Sequence, residues 1–235
     1  SFPSAFWVAN VIELIERFSF YGVRVISALY IVEATEKGGL GFDNTDKGLF
    51  FGVWSLIQCI LPMFTGGFSD RHGYKISLMV AYTINIIGYG LMGFVDSWWG
   101  FMGACCLIGT GTAIFKPPLH GTLAHCVNEK NSSLGWGTFY MVVNIGGFVG
   151  PVVAGILRRF EWQYAFLTAA SIIVVNVFVT GLFLKDYSQG KTAGKNAGPG
   201  KGAWETFAES MSTLLKDPKF VIFLAIFSGF WFTFM

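Results

Sequence analysis

The sequence predicts an all-α membrane protein: six transmembrane helices, followed by the start of a seventh. Three observations predict it. Apolar residues make up 53% of the chain and charged residues only 13%, against about 25% charged in a soluble domain. The apolar residues collect in runs of about 18 or more, enough to cross a hydrocarbon core. Most of the charges fall between those runs. A net charge of +2 is too small and too dispersed for a nucleic-acid footprint, so the expected partner is a lipid bilayer and not a nucleic acid.

The six runs are Phe6–Ile31, Leu49–Phe68, Ile76–Val95, Trp98–Leu123, Leu134–Leu157 and Phe166–Leu184. A seventh opens at Phe220 and is still apolar at Met235. Ser1 in place of an initiator Met, and a stop inside an apolar run, predict a piece of a longer protein. The first run holds Glu13, Glu16 and Arg17 and has no small-residue cleavage pattern, which excludes a cleavable signal peptide. Three parts are expected: residues 1–184 as a six-helix bundle, 185–217 as a linker, and 218–235 as the opening of a further span.

Loop charges set the orientation. The loop after the first span carries Glu33, Glu36, Asp43 and Asp46 against Lys37 and Lys47. The loop after the second carries Arg71 and Lys75, and the segment after the sixth carries six lysines from Lys185 to Lys219. Basic residues therefore favour even-numbered loops and place the amino terminus in the cytoplasm; Arg158 and Arg159 run against the trend. The Gly- and Lys-rich start of the linker, Ser188 to Gly202, is expected to be flexible. Its glycine spacing does not match a phosphate-binding loop. Trp204, Phe207, Met211, Leu214 and Leu215 then recur at helical spacing, as in an amphipathic helix lying on the membrane face.

Charges inside the spans carry the chemistry. An ionisable group at membrane depth is costly and marks a functional site, and five stand out: Glu13, Glu16, Arg17, Arg24 and Lys116. At 100° per residue Glu13, Arg17, Phe20 and Arg24 share a narrow stripe of the first helix, flanked by Glu16 and Tyr21. Both acids can pair with Arg17, while Arg24 points the same way about two turns deeper. Lys116 precedes Pro117 and Pro118 in the fourth span, which predicts a bent helix with unpaired carbonyls lining a polar cavity. If six spans form two inverted three-helix repeats, the first and fourth are equivalent, and matched interruptions point to a midplane site. Two fixed cations, Arg24 and Lys116, suit an anionic group, since Arg binds carboxylates in bidentate geometry.

Other residue patterns exclude alternatives. Cys59, Cys105, Cys106 and Cys126 lack metal-ligand spacing, as do His72, His120 and His125. His120 faces Lys116 one turn away. Neither a cofactor fingerprint nor a nucleophile–base pair is present, so no cofactor, metal or enzymatic activity is expected.

Gly66-Gly-Phe-Ser-Asp70-Arg71-His-Gly73-Tyr-Lys75 resembles the cytoplasmic loop signature of the major facilitator superfamily, between the second and third spans where that family has it. The resemblance implies half of a twelve-helix carrier and a conformational latch made of Gly66, Asp70, Arg71, Gly73 and Lys75. Glu13-Leu-Ile-Glu16-Arg17-Phe18-Ser-Phe20-Tyr21-Gly22-Val-Arg24 resembles a first-span motif of proton-coupled oligopeptide transporters. Phe139-Tyr140-Met-Val-Val-Asn144-Ile-Gly146 resembles their fifth-span motif, and Phe115-Lys116-Pro117 their fourth-span lysine. It implies proton coupling through Glu13, Glu16, Arg17 and Lys116, and cargo contacts from Tyr21, Arg24, Lys116 and Asn144. Phe20 departs from the motif where a tyrosine is usual, and Cys59 stands where a cargo-facing tyrosine is usual.

The expected function is proton-coupled symport of small peptides or similar zwitterionic or anionic solutes, with protons and a small-molecule or peptide cargo as partners. Gly146-x-x-x-Gly150-Pro151 also resembles the fifth-span signature of superfamily antiporters, which leaves proton-driven export of drugs or metabolites as the alternative. A non-transporting receptor of the same fold is a third reading. The expected location is the plasma or bacterial inner membrane.

Overall fold

The computed structural model describes residues 2–184, 212–213 and 215–234. The predicted surface helix at residues 204–215 lies almost wholly outside the described residues. Two compact units are present, residues 1–193 and 194–235. Among the described residues the secondary structure is helical throughout.

In the first unit, α1 is Ser4–Tyr30, followed by a short 3-10 turn at Thr35–Lys37. Then come α2 (Asn44–Ile60), α3 (Pro62–His72), α4 (Tyr74–Met92), α5 (Trp98–Cys126), α6 (Ser132–Leu157) and α7 (Trp162–Phe183). The second unit contributes α8, Pro218–Phe234, the predicted opening of a seventh span.

Helices α4, α5, α6 and α7 are each long and apolar enough to span a bilayer. At 27 residues α1 is long enough as well, and what sets it apart is Glu13, Glu16, Arg17 and Arg24. The second predicted span is a broken one, because α2 and α3 meet at a 48° bend. Pro62 explains the break: it has no N–H for the carbonyl four residues back, and its ring crowds that carbonyl. Large apolar side chains point outward, among them Trp99 at 79%, Leu182 at 75% and Phe148 at 73% exposure, as lipid solvent allows.

The prolines of α5 behave otherwise. The helix runs unbroken through Pro117 and Pro118, where a bend with unpaired carbonyls was expected, and at least one of those carbonyls is paired. Pro117 cannot donate to the carbonyl of Ala113, but the Thr65 hydroxyl of α3 donates to it at 3.0 Å. A neighbouring helix thus takes over the lost hydrogen bond, one of the ways a transmembrane proline is tolerated.

Helix α1 packs on α5, α6 and α7, and α4 packs on α5 and α7. Small residues set the closest approach. A Cβ on Gly146 would lie 2.9 Å from the Leu14 carbonyl, and one on Gly22 would lie 3.1 Å from the Gly150 carbonyl. A Cβ on Gly150 would collide with the Phe18 carbonyl. The backbones of α1 and α6 therefore touch, as small-residue packing permits. This contact gives the Gly146–Gly150 pattern a packing role and holds the charged helix against α6.

Candidate functional site

The site is built on the middle of α1. Glu13 and Glu16 both reach Arg17, as the helical spacing predicts. Arg17 Nε donates to Glu16 Oε2 at 2.6 Å and lies 3.3 Å from Glu13 Oε1; Arg17 Nη2 also pairs with Glu16 Oε2. All three side chains are buried, with Glu16 at 0% exposure. Lys116 of α5 is half-buried and interacts electrostatically with Arg17, Glu16 and Glu13 without touching them. Two carboxylates and two cations thus form one balanced ionic cluster shared by two helices.

Arg24 stands apart from that balance. Its guanidinium lies 5.3 Å from the Phe51 ring centre, 5.5 Å from Trp54 and 5.8 Å from Phe20. Its Nη2 donates to Ser55 Oγ at 3.1 Å. Among the described residues it has no acidic partner. An Arg cation over aromatic faces is held by the ring quadrupoles, and Ser55 occupies only one of its donors. Sequence reading missed Phe51, Trp54 and Ser55; their signal was spacing, since the three fall on one face of α2, opposite a helix with unmatched charge.

Tyr21 sits between these groups. Its ring meets the Phe20 edge at 5.2 Å and lies 5.8 Å from the Arg17 guanidinium. It packs against Gly147, where an added Cβ would come within 3.2 Å. Asn144, one turn earlier on α6, is exposed and donates to the Tyr140 carbonyl of its own helix at 2.8 Å. The structure therefore gathers Glu13, Glu16, Arg17, Tyr21 and Lys116, sets Arg24 in an aromatic cage, and leaves Asn144 outside direct contact with them. His120 packs at 5.3 Å from Phe139 and 6.0 Å from Trp136, among rings.

At the other end of α3, Gly73 holds φ +93° between α3 and α4, a backbone that only glycine adopts freely. Asp70 Oδ1 accepts from the Tyr74 hydroxyl at 3.4 Å. Lys75 Nζ donates to the Gly181 carbonyl at 2.7 Å, placing a cation on the last turn of α7, where helix carbonyls are unpaired and the dipole is negative. Arg71 is exposed at the same corner, and Gly66 faces open space.

A helical bundle with apolar outer faces and an ionic centre defines the class, an integral multi-pass membrane protein. The sequence model of the Major Facilitator Superfamily matches residues 11–235, and the chain belongs to that superfamily. Dipeptide and tripeptide permease A of Enterobacter sp. (strain 638) is 30% identical over 197 residues, 79% of this chain and 38% of that protein. The uncharacterized transporter YclF of Bacillus subtilis (strain 168) is 27% identical over 190 residues, 78% of this chain and 38% of its own. A POT family transporter solved with 5-aminolevulinic acid superposes with a TM-score of 0.74 at 20% identity, covering 99% of this chain and 48% of that one. The peptide transporter POT solved with sulfate gives 0.68 at 22% identity, covering 97% and 46%. At these identities the structures speak for the fold. The chain spans less than half the length of the relatives it matches, and those relatives are transporters, not enzymes.

Proposed function

We propose that this chain is the amino-terminal part of a secondary carrier that moves small peptides, or similar zwitterionic or anionic solutes, together with protons by alternating access. The observation that carries the reading is the unmatched cation. Glu13, Glu16, Arg17 and Lys116 sum to zero charge, and Arg24 adds one positive charge that, among the described residues, is met by aromatic faces and a hydroxyl and by no acid. A cargo carboxylate supplies what Arg24 lacks. The permease relatives support peptide as that cargo.

Coupling follows from the same arithmetic. A proton on Glu13 or Glu16 leaves the cluster with one surplus positive charge, which an anionic group nearby relieves. At a separation on the order of 10 Å and an effective dielectric constant of about 20, one unit charge is worth about 1.7 kcal/mol, roughly a 15-fold change in affinity. Linkage is reciprocal, so bound cargo favours the protonated cluster by the same factor. In this reading Glu13, Glu16, Arg17 and Lys116 form the proton-coupling cluster, the proton residing on a carboxylate, and Tyr21, Arg24, Lys116 and Asn144 face the cargo. Gly66, Asp70, Arg71, Gly73 and Lys75 form the latch. The amino terminus and the linker at 185–217 are cytoplasmic, with the protein in the plasma or bacterial inner membrane.

Binding of a labelled dipeptide to the full-length protein tests the reading. Affinity should rise as pH falls and the cluster takes up its proton, and a carboxy-amidated dipeptide should bind at least tenfold more weakly. Equal binding of the two, at every pH, would refute it.

A further inference from the structure

Helices α5 and α7 each pack on both α1 and α4, so α1 and α4 face each other across a four-helix ring. Hydrogen bonds show which side chains turn inward. Asn176 of α7 donates to the Ile12 carbonyl of α1 at 2.9 Å, one turn before Glu16. Ser19 of α1 donates to the Ala169 carbonyl of α7 at 3.3 Å. Ile12, Glu16 and Ser19 share a helix face, so Glu16 looks toward α7. One turn beyond Asn176, Thr180 shares a hydrogen bond with Tyr82 of α4 at 2.9 Å. On α4 Tyr82, Asn85 and Tyr89 form one stripe, and both tyrosines feel the charge of Glu16. Asn85 lies between them, its carboxamide directly over Gly111 of α5.

This interior holds an unusual set of atoms. Glu16 Oε1, both polar atoms of Asn85, the Tyr89 hydroxyl, Thr112 Oγ1 and Asn176 Oδ1 have no hydrogen-bond partner among the described residues. Each of the five residues is 0% exposed, and all four helices of the ring contribute. A buried polar group left unpaired keeps its full desolvation cost, so a set this size calls for a ligand. The set mixes pure donors, pure acceptors and hydroxyls that do either. A metal cation would be repelled by the Asn85 N–H groups and by neighbouring Arg17. A molecule that both donates and accepts fits, and a buried water typically makes about three such bonds.

We propose that the interior of the α1–α4–α5–α7 ring is an internal water site, in which Asn85, Tyr89 and Thr112 hydrate the free oxygen of Glu16 on the side of α1 that faces α7. The water donates hydrogen bonds to Glu16 when it is ionised and accepts one from its O–H when it is protonated, so these three are positioning residues for the coupling carboxylate. The inference rests on the proton-coupling reading above. The ionisable groups around Glu16 are Glu13 and Arg17 on α1, Lys116 on α5, and Tyr82 and Tyr89 on α4, with Tyr21 on the far side of Arg17; α6 meets Arg17 with Gly146, and α7 presents neutral Asn176 and Thr180.

Two measurements on the full-length protein test it. Hydroxyl radicals generated in place by X-rays modify residues that touch bound water, so Tyr89 should be labelled despite its complete burial; a Tyr89 left unmodified at doses that label surface tyrosines would overturn the site. In proteoliposomes, Tyr89→Phe and Thr112→Val should displace the pH midpoint of dipeptide uptake by about one unit, a tenfold change in proton affinity. Pre-loaded exchange at fixed pH should stay within a few-fold, and Thr112→Ser should restore the midpoint. Midpoints unchanged in both variants, while Glu16→Gln abolishes proton-driven uptake, would refute the ring and leave proton coupling standing. Proton-driven uptake that survives Glu16→Gln would refute the coupling reading itself.

Discussion

At the scale of single residues, cargo binding should depend most on Arg24, which lies over the rings of Phe51 and Trp54 and donates to Ser55. Glu13, Glu16 and Arg17 could be paired from helical spacing alone, because i, i+4 and adjacent acids have few other partners in an apolar segment. The aromatic cage of Arg24 and the polar stripe of α4 depend on which helices become neighbours, and no local pattern states that. Arg24→Ala should weaken binding of a zwitterionic dipeptide by about 2–5 kcal/mol, the scale for truncating one member of a buried charge pair, as read by titration calorimetry. Arg24→Lys should recover only part of the loss, since an ammonium cannot reproduce the planar contacts with Phe51 and Trp54 or a bidentate bond to a carboxylate. Full recovery by lysine would show that charge alone matters there.

At the scale of elements, run length and apolarity located the helices of the first unit, four of them long and apolar enough to span a bilayer and a fifth span if the bent α2–α3 pair is one, and proline was the residue least legible from local sequence. Pro62 breaks the second span at 48°, whereas α5 continues through Pro117 and Pro118, and Thr65 donates to the Ala113 carbonyl that Pro117 cannot pair. Thr65→Val should therefore destabilise the bundle by about 1–3 kcal/mol, the cost of a buried carbonyl left unpaired. Gly150→Ala should cost a similar amount, about 1–3 kcal/mol, because a methyl group meets the Phe18 backbone rather than a movable side chain. Gly155→Ala, where an added Cβ meets nothing within 4 Å, should stay within about 0.5 kcal/mol. Thermal unfolding in detergent checks all three, and a Gly150 variant as stable as the Gly155 variant would contradict the α1–α6 contact. At the corner of α3 and α4, Asp70→Asn should slow alternation between inward and outward states while leaving dipeptide affinity within a few-fold. Loss of binding with alternation intact would remove the latch assignment.

At the scale of the molecule, the proposed six spans and cytoplasmic amino terminus form one account with the buried charges. Positive loops anchor one face, apolar outer surfaces meet lipid, and the cost of ionic groups at membrane depth is met by pairing within the bundle. Single cysteines placed in the loop at residues 38–43 and in the linker at 190–202 should react with an impermeant reagent from outside and inside the cell, respectively. Labelling of the linker from outside would invert the orientation. The most direct test of the central claim is accumulation of a labelled dipeptide by the full-length protein in proteoliposomes under an imposed pH gradient, with the unmodified protein and Glu16→Gln compared side by side. The account predicts uphill accumulation for the unmodified protein that collapses when the gradient is dissipated, and for Glu16→Gln no accumulation but continued exchange of pre-loaded dipeptide; accumulation indifferent to the gradient, or undiminished in Glu16→Gln, would contradict it.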